Sequence, residues 1–285
     1  ALGEPRNRGA PMLLRSETGL AAADALLADV DGDGAPDLAY GRIPAHSDDD
    51  VTAYLARAAA FSGPGRAVFA SDVDDPKGGA FAESAAGLAQ QLSIDTSLVA
   101  VQQHAINTAR ASLFAALPAS DLLVYVGHGG LDRMASDGLV MTDDAPALAQ
   151  NKPLAIVALT CFINRFETLG FEGLGETLLR DGAAVAVIAP SSVGNHSHAD
   201  ELGTHFTARL KNGGAIGDIL VDAERTYLAA GGDATLVTSE NLLGDPTLPL
   251  APEPGSAPSC ASTPGALPFV AIVALLFVRR RWRRP

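Results

Sequence analysis

Asp121-Leu122-Leu123-Val124-Tyr125-Val126-Gly127-His128-Gly129-Gly130 and Leu154-Ala155-Ile156-Val157-Ala158-Leu159-Thr160-Cys161 decide how this chain is read. Each opens with a short aliphatic run that lacks polar alternation. That is the pattern of a strand buried on both faces, as in a parallel sheet covered by helices. The first run breaks at His128 and the second at Cys161. Open α/β sheets bind ligands beyond the carboxyl ends of their strands. A thiol and an imidazole placed there can meet as nucleophile and proton carrier. A lone cysteine beside a core strand is more often a small buried hydrophobe. It is the pair, each member following the same structural event, that points to chemistry.

Outward from these runs, residues 67–70, 98–101 and 183–189 read as further strands. Helical spacing predicts helices over 81–92, 172–180, 200–211 and 215–228, and one running to 117 with Asn107 as its cap. Ser47 followed by Asp48, Asp49 and Asp50 is a helix start, with Val51, Tyr54, Leu55 and Ala58 on the inner face and Gly63-Pro64-Gly65 as the stop. Residues 38–40 look like a short strand and 190–198 like a polar loop. Residues 1–27 promise little regular structure, and 241–246 close the domain. Strand and helix in repeated alternation predict an α/β fold, a mainly parallel sheet with helices on both faces.

The chain has 285 residues and is 47% hydrophobic, enough for one large core or two modest ones. Its formal charge is −13; setting aside Arg279, Arg280, Arg281, Arg283 and Arg284 leaves −18 on the body. Such a body repels nucleic acid, so no nucleic-acid partner is expected. Gly231-Gly232 lacks the Lys-Ser/Thr of a phosphate loop, and no organic cofactor is expected. The two cysteines, Cys161 and Cys260, sit in unlike contexts, which argues against a disulfide framework. Nothing fixes an oligomeric state.

Asp29-Val30-Asp31-Gly32-Asp33-Gly34-Ala35-Pro36-Asp37 has the spacing of a calcium loop: Asp29, Asp31, Asp33 and Asp37 as oxygen ligands, and Gly34 for the sharp turn. Position twelve is Tyr40 rather than the bidentate glutamate, and an acidic solvated turn is the plain alternative. His196, His198 and Asp200 make a poor zinc set.

Three segments follow from composition: a core over residues 1–250, a linker rich in Pro, Ser, Ala and Gly over 251–266, and an apolar run with an arginine cluster over 267–285. Twelve apolar residues are few beside the roughly twenty needed to span a bilayer. The run suits a sorting segment or marginal anchor, with its arginines on the cytoplasmic side. The chain starts at Ala1 and reads as a mature form or a fragment.

The ordered series Asp37-Leu38-Ala39-Tyr40-Gly41-Arg42-Ile43-Pro44, Tyr125-Val126-Gly127-His128-Gly129-Gly130, Ala158-Leu159-Thr160-Cys161, Gly175-Glu176-Thr177-Leu178-Leu179 and Leu243-Gly244-Asp245-Pro246 resembles the gingipain-like cysteine peptidases. The resemblance implies a caspase-like three-layer sandwich. It also implies Cys161 as nucleophile, His128 as catalytic histidine, and the amides of Gly129 and Cys161 as the oxyanion hole. Residues 190–198 would wall the pocket for the side chain before the scissile bond. Substrates would be proteins or peptides. Gly130 stands where the family often has Ser, and residues 131–134 lack its Trp. The family domain also normally begins earlier. Asp132, Asp143 and Asp144 are candidates to orient His128. The tail resembles a myxobacterial sorting sequence. That implies processing near Cys260, membrane association through the tail before processing, and a secreted, surface-attached protein. The competing reading is a catalytically lapsed surface module binding calcium and a protein partner.

Overall fold

The computed structural model describes residues 10–63, 65–150 and 152–251. Strands β1 (Leu13–Ser16) and β2 (Gly19–Ala22) pair as an antiparallel hairpin, where the sequence suggested irregular chain. The hairpin is hard to read because its inward residues are alanines. Ala21, Ala22 and Ala23 are buried, and Ser191 Oγ donates to the Ala22 carbonyl at 2.6 Å. Tertiary docking, not strand propensity, fixes it. A single turn, α1 (Ala25–Ala28), leads into the aspartate loop.

Residues 38–40 form no strand. Leu38 is exposed, and only Arg42 bridges to the sheet, donating to Leu242 O at 2.9 Å and accepting from Gly244 N at 2.7 Å. Helix α2 (Asp48–Ala60) starts as expected: Ser47 Oγ accepts from Asp50 N and Asp50 Oδ2 from Ser47 N. Its inner face is narrower than the pattern suggested. Tyr54 and Ala58 are buried while Leu55, about 100° further round, is exposed.

The chain continues through β3 (Arg66–Ser71), α3 (Phe81–Gln91), β4 (Asp95–Ala100), α4 (Ile106–Ala116), β5 (Leu122–Val126), β6 (Arg133–Met134), β7 (Val140–Met141), α5 (Ala145–Leu148) and β8 (Leu154–Leu159). Then follow α6 (Leu174–Arg180), β9 (Ala184–Pro190), α7 (His196–Leu210), β10 (Gly214–Ala215), α8 (Ile216–Ala229), α9 (Ala234–Ser239), β11 (Glu240–Gly244) and β12 (Pro249–Ala251). Asn107 caps nothing, since α4 begins one residue before it with Ala105 at the cap position. Helix α7 begins four residues before Asp200, because the Asn195 side chain accepts from Ser197 N and caps it earlier.

The central sheet has the order β11-β9-β8-β5-β3-β4, parallel except for β11 at one edge. Going from β3 to β4 and back to β5 reverses direction across the sheet. Right-handed crossovers therefore put α3 and α4 on opposite faces, and α3 packs with α7. The layers are helix, sheet, helix, a caspase-like arrangement. Strands β5, β8 and β9 are buried along their whole length, as their unbroken aliphatic runs require.

One consequence positions the site. Ser71 pairs with Val126 and Val126 with Leu159, so β3, β5 and β8 end level with one another. The residues that follow each strand emerge side by side. The linker from 252 onward, the apolar run, the arginine cluster and Cys260 lie outside the described residues. Among the described residues, no helix is long and apolar enough to cross a membrane.

Candidate active site

His128 is placed by a turn that only glycine permits. Gly127 has φ 155°, and a Cβ there would overlap Asp72 and crowd the Tyr125 hydroxyl. Tyr125 is fully buried and donates to His128 O at 2.6 Å, and Ala135 N donates to the same oxygen at 2.9 Å. The backbone of the histidine is thus tied from two sides.

The charged partner of His128 is Asp75, in the loop after β3: Asp75 Oδ2 lies 3.3 Å from His128 Nε2. Lys77 N–H first, then Gly78 N–H and the His128 ring, hold the Asp75 carboxyl below its ordinary range against partial desolvation. The three sequence candidates for this role are elsewhere. Asp132 pairs with Arg133 at 2.7 Å, Asp144 pairs with Arg110 at 2.7 Å, and Asp143 makes no recorded contact with the ring. Asp75 was missed although it obeys the rule that singled out His128 and Cys161, since it too follows a buried strand. Phe81 was also missed; it stands edge-on to the His128 ring with centroids 5.1 Å apart.

Cys161 leaves β8 at a sharp bend. Phe162, the next residue, has φ 62°, a left-handed conformation that costs a bulky L-residue roughly 1–2 kcal/mol. The bend is held because Phe162 N donates to Ser192 O at 3.2 Å and Asn164 N to Pro190 O at 3.1 Å. The buried Asn164 amide also donates to Val187 O at 2.9 Å and Asn241 O at 2.8 Å. Burial pushes the Cys161 thiol pKa up, with the Gly194 backbone as the smaller opposing influence; Sγ also makes a long donor contact to Gly194 O at 4.0 Å.

Both residues line one cavity of about 690 Å³ with Phe81, Thr160, Gly194 and His196. Among the described residues no hydrogen bond joins Sγ to the imidazole, whose Nε2 is turned toward Asp75. Gly129 packs so closely on the cysteine loop that an added Cβ would overlap Thr160 Oγ1 and lie 2.5 Å from Cys161 O. Gly129 faces Met134 as a non-hydrogen-bonded antiparallel pair: Gly130 N donates to Arg133 O and Ala135 N to His128 O, which leaves Gly129 N–H outside the ladder. Neither Gly129 N–H nor Cys161 N–H has an acceptor among the described residues.

In the aspartate loop, Asp29, Asp31 and Asp37 bring carboxylate oxygens within 4.8 Å of one another. Asp33 stands outside this group and accepts from Ala35 N at 2.8 Å. Asp29 accepts from Gly32 N and Gly34 N, and Asp37 from Val30 N and Arg225. Val30 N–H first, then Arg225, hold Asp37 below the usual carboxylate range. Of the three residues weighed for zinc, His196 meets Ser84 and His198 meets Tyr227.

The fold is shared with known peptidases. The Arg specific cysteine proteinase gingipain R aligns with TM-score 0.70 at 16% identity, covering 80% of this chain and 59% of that one. A complex of Porphyromonas gingivalis RgpB pro- and mature domains aligns with TM-score 0.68 at 15% identity, covering 80% of this chain and 60% of that one. The chain therefore spans about three fifths of the length of these relatives. No curated protein sequence matches it. The profile of Peptidase family C25 matches residues 5–251, so the family suggested by the motif series is the one to which this chain belongs.

Proposed function

We propose that the chain is a cysteine endopeptidase in which Cys161 attacks the scissile carbonyl and His128 carries the proton. The observation that supports this most is the shared cavity, where thiol and imidazole come together beyond the level ends of β5 and β8. In the resting site the thiol is protonated, because burial disfavours the thiolate. Substrate brings the carbonyl against Gly129 N–H and Cys161 N–H. As Sγ bonds to carbon its proton passes to His128, and the oxyanion settles on the two amides. His128 then protonates the leaving amine, a thioester remains on Cys161, and water activated by His128 releases the acid. Asp75 orients the ring.

A peptidyl acyloxymethyl ketone library tests this, since labelling requires both binding and an activated thiol. Cys161 is expected to be labelled, with the rate about 100-fold lower in His128→Ala and about tenfold lower in Asp75→Asn. Labelling no faster than a simple alkylator gives would favour the lapsed surface module.

The fit to calcium is good in chemistry. Asp29, Asp31 and Asp37 offer only oxygen, and each carboxylate oxygen retains a lone pair beyond its recorded bond. We propose that these three hold a structural calcium ion, and that the tail attaches the protein to the cell surface after processing near Cys260.

A further inference from the structure

The cavity beside Cys161 carries side chains that the cleavage step does not use. Helix α7 begins on its wall, with His196 and His198 in the first turn. His196 and His128 both stand edge-on to Phe81, with centroids 4.9 and 5.1 Å from it, so one phenyl ring separates the proton carrier from a second imidazole. Burial holds His196 below the usual imidazole range, and its Nε2 lies 3.1 Å from Ser84 Oγ.

The tautomer of His198 follows from its partner. The buried Tyr227 hydroxyl accepts from Asp233 N at 2.8 Å, and among the described residues the one acceptor for its own proton is His198 Nδ1 at 2.9 Å. A buried hydroxyl proton needs an acceptor. Nδ1 therefore accepts, and Nε2 of this cavity-lining ring carries a proton to donate.

Among the described residues two acids line the cavity. Glu17 is exposed at the turn of the β1–β2 hairpin, and Asp233 is turned to Thr235 N at 2.8 Å, capping α9. Asp74 and Asp200 face His196 but do not line the cavity, and Asp74 accepts from Ala82 N at 3.0 Å. Arg15 and Lys77 line it. A guanidinium or ammonium entering here meets the imidazoles, Arg15 and Lys77 as well as the two exposed acids, so the lining offers it no net negative charge to offset its desolvation.

We propose that this cavity selects a substrate side chain ending in an acceptor oxygen, a carboxylate or a carboxamide, over a cationic one, with His198 Nε2–H as the selecting donor. The inference rests on the peptidase reading of the site. The acidic body does not reverse it, because exposed charges beyond about 8 Å are largely screened at physiological salt.

The test is a set of fluorogenic peptides that differ only in the residue before the scissile bond, carrying Asp, Asn, Arg or Lys and assayed with the full chain. The Asp and Asn peptides are expected to exceed Arg and Lys at least tenfold in kcat/KM, and His198→Leu should erase most of that ratio. Wild-type preference for Arg or Lys overturns the inference and leaves the peptidase reading intact. Peptide binding to Cys161→Ala, followed by fluorescence anisotropy, reads the pocket without turnover. Equal or tighter binding of the cationic peptides overturns the inference even if nothing is cleaved. Selective binding of the acceptor-ended peptides without wild-type cleavage would remove the peptidase reading and keep the selectivity.

Discussion

Glu240 opens β11 and Glu224 lies on the inner face of α8, and both are at most 3% exposed. Among the described residues Glu240 Oε1 has no hydrogen-bond partner and the Glu224 carboxyl meets only the Tyr40 hydroxyl, which also donates to the Glu240 carbonyl at 3.1 Å. Burial pushes the Glu240 carboxyl up to about 8; burial and then the neighbouring Glu240 push Glu224 well above its ordinary value. Both are therefore protonated in the native protein at neutral pH and ionised in the unfolded chain. Between the unfolded and folded values the native state binds more protons, so stability falls as pH rises. For Glu240 the gap from 4.5 to about 8 corresponds to about 5 kcal/mol in full, of which about 4 kcal/mol is lost by pH 8, at about 1.4 kcal/mol per unit. That is as large as the whole stability of a marginal domain. Glu240→Gln keeps the shape and removes the proton. Urea unfolding followed by circular dichroism should find the two proteins separated by a constant offset near pH 4. Relative to that offset, the variant should gain about 2 kcal/mol at pH 6 and about 4–5 kcal/mol at pH 8. A gap that does not change with pH would refute the reasoning. So would a wild type that gains on the variant as pH rises, which would mean that Glu240 is ionised in the fold and paired with a cation.

Gly129→Ala should lower kcat/KM by about 100-fold, because the added methyl drives the oxyanion-hole amide away from Cys161; unaltered turnover would place that amide outside the reaction. Iodoacetamide alkylation of Cys161 should climb as pH rises above 9 rather than level off near neutrality, since burial raises the thiol pKa. A plateau below pH 7 would mean a preformed thiolate. Chelation should lower Tm by about 5–10 °C if calcium is present at about 100 times its Kd. Asp31→Ala should abolish that dependence, whereas Asp33→Asn, outside the carboxylate group, should retain it. Thermal scans with and without chelator decide the matter, and a shift that survives Asp31→Ala would move the ion elsewhere.

His128 and Cys161 were legible because each ends an unbroken aliphatic run, and such runs occur in buried parallel strands whose carboxyl ends share one edge. The hairpin before residue 22 was illegible for the opposite reason: alanines that become fully buried carry almost no periodic pattern until there is a sheet to dock against. The partner of His128 shows where local reading fails. Asp132, Asp143 and Asp144 are near it in sequence, but β6 and β7 carry that segment into its own small hairpin, where arginines take Asp132 and Asp144. Asp75 lies 53 positions upstream, and it arrives because β3 is hydrogen-bonded beside β5 with Ser71 level with Val126. Even that register leaves Asp72, Asp74 and Asp75 to choose among. Their backbone commitments decide. Asp72 accepts from Val73 N at 2.7 Å and Ser136 N at 3.4 Å, and Asp74 from Ala82 N, whereas Asp75 accepts from Lys77 N at Oδ1 and keeps Oδ2 for the imidazole. An orienting carboxylate thus needs a strand order, a register and a turn geometry to be known together. Periodicity supplies the strands, while order, register and turn geometry are settled only when the sheet closes.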